Sequence, residues 1–398
     1  MTLDPTRDWK TLLAALPDDY ERLAVEHKLV NVQWANAKVK SAGELLRLLF
    51  VHAGADLPLR QTVALVGEAG GPQISAVRLH LKMRAAAPYL GTLIGHLCSS
   101  SREYEPELWG GYELVLIDGS TVSGPGAEGI DARLHTVIRV SDLRPLNVKV
   151  TDASEGETLK RFVWTAGQLV IADRGYSNAP GIVAVVDDGA DVLVRVNRGA
   201  LPLYDEMTAN IDVLAWLRSL QGHCAHGRPA QARVWDTNRH LRTIDGRLIG
   251  FRLPEREAAE ARQRVLEEHG VRTTEEMLEA ANYVALFTTT PATRLSAARA
   301  VEAYRLRWQI ELQFKRWKSL CRFDRLPNYR DDTIRSWLSI KVLLGLLLDR
   351  MSSATELSPP AAAPASLNRR ATRRKAAMEA DRYSLAGDRR RDLANGTA

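Results

Sequence analysis

In the run Ala303 to Cys321, AYRLRWQIELQFKRWKSLC, five residues able to hold ions stand three and four apart: Tyr304, Arg307, Glu311, Lys315 and Lys318. At about 100° per residue they form one polar stripe on a single helix. Beside it, Ala303, Leu306, Ile310, Phe314, Trp317 and Cys321 form an apolar stripe that should face a core. One carboxylate among cations and a phenol suits a place where Glu311 holds a metal ion and its neighbours gather phosphates. A solvated helix face with i,i+4 pairs such as Arg307 to Glu311 accounts for the same stripe, and on this stretch alone the two readings stand level.

Two more acids close apolar runs, Asp118 at the end of YELVLID and Asp173 directly after QLVIA. In an open α/β sheet, sites gather at the carboxyl ends of strands. An acid closing a strand before a turn is also common. The elements that must position these acids can be laid out in order. YELVLID reads as a buried strand followed by a turn at GST; ARLHTVIRV and PLNVKVTDA read as a hairpin; EGETLKRFVW reads as a helix. QLVIA is then a strand, NAPGIVAVVDDG a helix and DVLVRVN a strand. The order β-β-β-α-β-α-β, completed by the later helix, is that of a ribonuclease-H-like α/β fold, a mixed sheet flanked by helices. Three carboxylates from three elements could then hold two Mg²⁺ ions, which activate a water or a 3′ hydroxyl for in-line attack on a phosphodiester.

LIDGST, IADRGYSN and Tyr304-x2-Arg307-x3-Glu311-x6-Lys318 together resemble the DDE transposases of bacterial insertion sequences, in the group whose third motif is called YREK. All four YREK residues keep their spacing, the DRGY of Asp173 to Tyr176 is complete, and the likeness runs from about Leu114 to Asn328. The resemblance implies that Asp118, Asp173 and Glu311 bind Mg²⁺, with Mn²⁺ as a substitute, and that Tyr304, Arg307 and Lys318 hold phosphates of the transposon end. Lys315 on the stripe, with Arg174 and Tyr176 of the DRGY, joins them as a candidate DNA contact. Trp308 lies about 40° to the other side of the stripe and could stack on an unpaired base if the ends pass through a hairpin. The implied partners are double-stranded DNA, as terminal inverted repeats and target, and a second copy of the chain bridging paired ends. A non-cutting regulator of transposition with the same fold, or a ribonuclease-H-like nuclease, would be the alternative.

The 398 residues leave room for several domains. The expected organisation is a helical DNA-binding region at 1–108, a catalytic core at 109–197 and 291–351, a strand-rich insertion at 198–290, and a basic tail at 352–398. Within the first region, RQTVALVGEA, the turn Gly70-Gly71-Pro72, and a helix capped by Ser75 and carrying Arg78, Lys82 and Arg84 make either a helix-turn-helix DNA reader or an ordinary helical hairpin. In the insertion, ARVWDTNRHLRTIDGRLIGFRL alternates like strands with turns at TN and DG, and PEREAAEARQRVLEEHG reads as an exposed helix. TIRSWLSIKVLLGLLLDR should be a helix buried against the core or a second subunit. The tail, with NRRATRRK and GDRRRD, has little to bury and reads as disordered.

Lys plus Arg number 54 against 48 Asp plus Glu, a net +6 that suits a polyanionic partner. Cys98, Cys224 and Cys321 offer neither pairing number nor CxxC spacing, which argues against a disulfide framework or a zinc ribbon and for a reducing cytoplasm. His223, Cys224 and His226 lack a distant partner pair and read as a loop. No signal-like segment opens the chain, and its longest apolar run, Val342 to Leu348, falls far short of the roughly 20 residues of a membrane span. A cytoplasmic protein without membrane contact is expected.

Overall fold

The structure, a computed structural model, describes residues 9–31, 37–100, 108–124, 131–235, 240–323, 326 and 331–354, with the side chains of 331, 332 and 352–354 excepted. The tail expected at 352–398 therefore lies almost wholly outside the described residues. Six helices come first: α1 (Trp9–Ala14), α2 (Tyr20–Glu26), α3 (Ala42–Gly54), α4 (Leu59–Glu68), α5 (Ala76–Ala85) and α6 (Ala87–Ser100). Among the described residues no strand precedes Trp109, as the 3.6-residue period of this region leads one to expect. Ser41 and Ser75 cap α3 and α5 by accepting the backbone N–H groups of Glu44 and Arg78.

The core then runs β1 (Glu113–Val122), β2 (Ala132–Arg139), β3 (Pro145–Asp152), β4 (Gln168–Ala172), α7 (Ala179–Asp187) and β5 (Asp191–Arg195). The middle of the chain adds β6 (Leu203–Tyr204), α8 (Val213–Arg218), β7 (His226–Trp235), β8 (Leu241–Arg252), α9 (Glu255–His269), α10 (Glu275–Ala280) and β9 (Tyr283–Thr288). The chain closes with α11 (Ala297–Arg305), α12 (Trp308–Cys321) and α13 (Asp331–Ala354). One nine-stranded sheet has the order β3-β2-β1-β4-β5-β9-β8-β7-β6. Its first five strands, three antiparallel and then two parallel additions, have the ribonuclease-H-like arrangement. The strand-rich middle segment continues that sheet, because β9 pairs antiparallel with both β5 and β8.

Period-two alternation sorts the buried residues onto two faces. Leu114, Leu116, Leu169, Ile171 and Leu193 face one apolar cluster, which they share with α3, α6, α12 and α13. Val115, Ile117, Val170, Ala172, Val192 and Val194 face the other, under α7 and the Leu159–Trp164 segment. α13 is buried as expected, in this chain's own core rather than against another subunit: Trp337, Leu338, Leu343 and Leu347 pack among the N-terminal helices. Its Lys341 is fully buried and donates to Asp56 and to the carbonyls of Cys321 and Arg322, the last residues of α12 and its cap.

Four expectations need correction. GST is not a turn, since Gly119, Ser120 and Thr121 pair with His135, Leu134 and Arg133, so Asp118 sits inside β1 and not at its end. EGETLKRFVW is not a helix; its one regular piece is a 3₁₀ turn at Leu159–Arg161, beyond which Phe162 and Trp164 bury into the sheet face. Asp245-Gly246 is not a turn but lies within β8, where a Cβ on Gly246 would meet the Thr288 carbonyl at 2.5 Å. The run from Ala303 to Cys321 is not one helix. Hydrogen bonds of i to i+3 type, from Leu306 to Ala303 and from Arg307 to Tyr304, tighten the chain into a 3₁₀ turn between α11 and α12. Each such residue advances about 20° more than an α-helical one, which a uniform wheel does not register.

Candidate active site

The last parallel pair between β1 and β4 is Ile117 with Ala172. β4 stops there while β1 continues, so Asp118 and Asp173 come level at the notch where the ladder ends. By alternation Asp118 shares the face of Leu114 and Leu116, and Asp173 continues the face of Leu169 and Ile171. That face is covered by α12, whose Ile310, Phe314 and Trp317 are buried in the same cluster. The apolar stripe thus anchors the helix and turns its neighbouring stripe toward the two acids.

Arg307 draws the three carboxylates together. Its Nη2 donates to Glu311 Oε1 at 2.6 Å, and its Nη1 lies 3.5 Å from Asp118 Oδ2 and 3.7 Å from Asp173 Oδ2. The other oxygen of each aspartate is tied locally. Asp118 Oδ1 accepts the Gly119 N–H at 2.8 Å, while Asp173 Oδ1 accepts the Arg174 N–H at 2.7 Å and the Tyr304 hydroxyl at 3.1 Å. Both aspartates therefore present Oδ2 to the same cation.

Burial pushes the Asp118 carboxyl up to about 6; the Gly119 N–H and Arg307 hold it down, and Asp173 and Glu157 push it further up. Burial opposes the charge on Arg307, but Asp173, Tyr304, Glu311 and Asp118 outweigh it and keep the guanidinium firmly protonated. Burial, with Asp173 next, raises the Tyr304 phenol, so it serves as a hydrogen-bond donor.

The remaining candidate residues fall into distinct places. Trp308, the first residue of α12, is 44% exposed, and Lys315, four residues after Glu311, and Arg174, directly after Asp173, are exposed. Lys318 is half-buried further along β1, in a shallow cleft with Ser120, Val122, Leu134, Phe314, Trp317 and Phe323. Tyr176 differs from the expected DNA contact: it is fully buried among Leu159, Ile182 and Val194, so it has no surface to offer a phosphate. His223 and Cys224 lie in a loop and His226 opens β7; all three are exposed.

Glu157 was not singled out by the sequence. It is half-buried near Asp118 and Asp173, and burial, with Asp173 adding, raises its carboxyl. No periodicity marks it, because it lies in the irregular segment read as a helix. Among the described residues no group of three or more acids, histidines or cysteines is already gathered closely enough to hold a metal ion. A guanidinium stands among the three acids instead. The donor set is nevertheless all carboxylate oxygen, as hard divalent cations require.

The description "Transposase DDE domain" belongs to a family whose sequence model matches residues 109–347. The chain is also similar to curated proteins of Escherichia coli. It is 29% identical over 362 residues to the InsL protein of insertion sequence element IS186A from strain K12, covering 89% of this chain and 97% of that one. It is 29% identical over 363 residues to the transposase for insertion sequence element IS421, with the same shares covered.

Proposed function

The chain belongs to the transposase DDE domain family of insertion sequences, and from that premise we propose that it binds the terminal inverted repeats of its element, cleaves them, and joins the 3′ ends to target DNA. The observation that carries this reading is the convergence of Asp118, Asp173 and Glu311, from β1, the end of β4 and α12, around one guanidinium. Three acids already satisfied by a cation, with only oxygen donors, suit two Mg²⁺ ions, or Mn²⁺ in their place. Such ions, when bound, supply Lewis acidity and a nucleophile generated from water at neutral pH.

The chain's own residues prepare that chemistry. Tyr304 and the Arg174 N–H fix the Asp173 carboxylate, leaving Oδ2 to face the cation. Arg307, released from the acids, presents a planar fork that matches a phosphate. Lys315, Arg174 and the exposed Trp308, with Lys318 in the cleft further along β1, supply phosphate contacts and a stacking surface for the DNA end.

The α4–α5 pair supplies duplex binding, with Arg78 on α5, while 109–197 and 291–351 form the catalytic core and 198–290 the insertion. A second copy bridges the paired ends. No described helix is long and apolar enough to cross a membrane, and the working place proposed is the cytoplasm, at the nucleoid.

The test is cleavage of a labelled duplex carrying the element's terminal repeat, in Mg²⁺, by the wild type and Glu311→Gln. Metal-dependent cutting by the wild type alone is expected. Repeat binding without cutting by either protein would make the chain a regulator instead.

A further inference from the structure

The Glu157 carboxylate occupies the notch left where β4 ends. It comes from the Leu159–Trp164 side of the sheet, opposite α12. Its two oxygens lie over two glycines, one directly after Asp118 and one two residues after Asp173: a Cβ on Gly119 would stand 3.0 Å from Oε1, and a Cβ on Gly175 would stand 2.0 Å from Oε2. Any side chain at Gly175 would have to push the carboxylate aside. The glycines that follow Asp118 and Asp173 are therefore shaped around this fourth acid from the far face.

An independent observation points to a ligand. The Tyr176 hydroxyl is fully buried and has no hydrogen-bond partner among the described residues, and it reaches the same spot, 3.4 Å from a Cβ on Gly119. A buried hydroxyl left without a partner costs about 1–3 kcal/mol, so this one suits an oxygen ligand or a bound water beside it. The Glu157 carboxylate likewise makes no hydrogen bond or ion pair among the described residues, although Arg133 attracts it from a distance. Most polar groups buried in a fold have a hydrogen-bond partner, in the protein or in ordered water. This one is oriented, unpaired and placed next to two acids that share a cation.

We propose that Glu157 is a fourth oxygen donor of the site, completing the coordination of a divalent cation held by Asp118 and Asp173, directly or through a water that the Tyr176 hydroxyl holds. The proposal rests on the metal-binding reading given above. It assigns the two sheet faces complementary parts: α12 brings Glu311 from one side, and the segment after β3 brings Glu157 from the other.

Mn²⁺ binding to the full chain without DNA, followed by electron paramagnetic resonance of the free ion, tests it in the wild type, Glu157→Gln, Gly175→Ala and Asp118→Asn. Loss of tenfold or more in Mn²⁺ affinity is expected for Glu157→Gln, and a similar loss for Gly175→Ala, in which the acid is intact but displaced. In EDTA, Glu157→Gln should melt no lower than the wild type, since it removes an unpaired charge. Affinity within twofold of the wild type in Glu157→Gln, with Asp118→Asn impaired, overturns the proposal and leaves the metal reading standing. Unchanged affinity in both overturns the metal reading as well. If Glu157→Gln does not fold, Gly175→Ala decides by the same threshold.

Discussion

Arg307 donates to Glu311 one helical turn on at 2.6 Å, and the same guanidinium stands 3.5 Å from Asp118 on the facing strand. One cation thus serves three acids that would otherwise repel one another across a half-buried notch. Removing it should cost more than a surface ion pair, because the carboxylates stay behind without compensation; about 1–3 kcal/mol is expected, below the 3–5 of a fully buried pair, since Glu311 is partly exposed.

Arg307→Gln should therefore melt lower than the wild type in EDTA and regain more stability than the wild type on adding Mn²⁺. The physical reason is competition: on the proposed reading a divalent cation would have to displace the guanidinium in the wild type, whereas in the variant nothing would stand in its place. Thermal melts with and without Mn²⁺ measure both terms. Equal melting in EDTA would show that Arg307 does not hold the resting site.

How much of this was legible beforehand can be argued from the residues. The strands and their order could be read because Val115, Ile117, Val170 and Val192 are apolar runs in a buried sheet, and the two-sided burial leaves no alternation to misread. Asp118 and Asp173 could be found because each follows such a run. That they stand level could not, because it depends on the register of Ile117 with Ala172, a long-range pairing that no local pattern encodes.

The tightened turn at Leu306–Arg307 was invisible for a related reason. The Tyr304 and Arg307 side chains both reach Asp173 across the turn that carries the i to i+3 bonds, a tertiary contact that a uniform period assumed from the sequence does not contain. Glu157 escaped altogether. Its meaning lies in two glycines from other elements, and Gly119 and Gly175 look like ordinary turn residues until the fold brings them to it.

Asp349 ties α12 to α13, and with it the position of Glu311. Its Oδ2 accepts from Gln313 Nε2 at 2.8 Å and from Trp317 Nε1 at 3.0 Å, while Oδ1 pairs with Arg316 at 3.0 Å. Burial raises its carboxyl, and Arg316, Trp317 and Gln313 offset only part of that rise. Asp349→Ala should lose about 2–4 kcal/mol, because buried indole and amide N–H groups are left unsatisfied. Denaturant unfolding measures this. Asp349→Asn keeps the shape and one acceptor oxygen for Gln313 and Trp317 but turns an amide NH₂ toward Arg316, so it should recover only part of the loss; full recovery would mean that the charge pairing with Arg316 contributes nothing.

Two buried histidines should make the fold sensitive to acid. Burial depresses both His52, which packs edge-on against Trp337, and His135, which contacts Thr151, to about 4 from the ordinary 6.5. The unfolded chain takes up a proton near 6.5 while the native one refuses it until about 4, so each contributes stability that is present above 6.5 and lost as the pH falls toward 4. At pH 5 each has forfeited about 2 kcal/mol, at 1.36 kcal/mol per unit. Asp118 runs the other way: its folded value of about 6 lies above the ordinary 3.8, so its contribution is present below 3.8 and lost as the pH rises through 6. Acidification from pH 7 to 5 in EDTA thus sets two losses against one partial gain, and the net expectation is a fall in stability. Replacing one histidine isolates its share. His52→Gln lowers stability at pH 7, but the gap to the wild type should narrow by about 2 kcal/mol at pH 5, because only the wild type still has that proton to take up. Asp118→Asn should do the reverse and steepen the acid loss, since it removes the opposing carboxylate. Denaturant melts of the three proteins at pH 7, 6 and 5 supply the slopes, and a constant gap between the wild type and His52→Gln would exclude His52 as a source of the acid sensitivity.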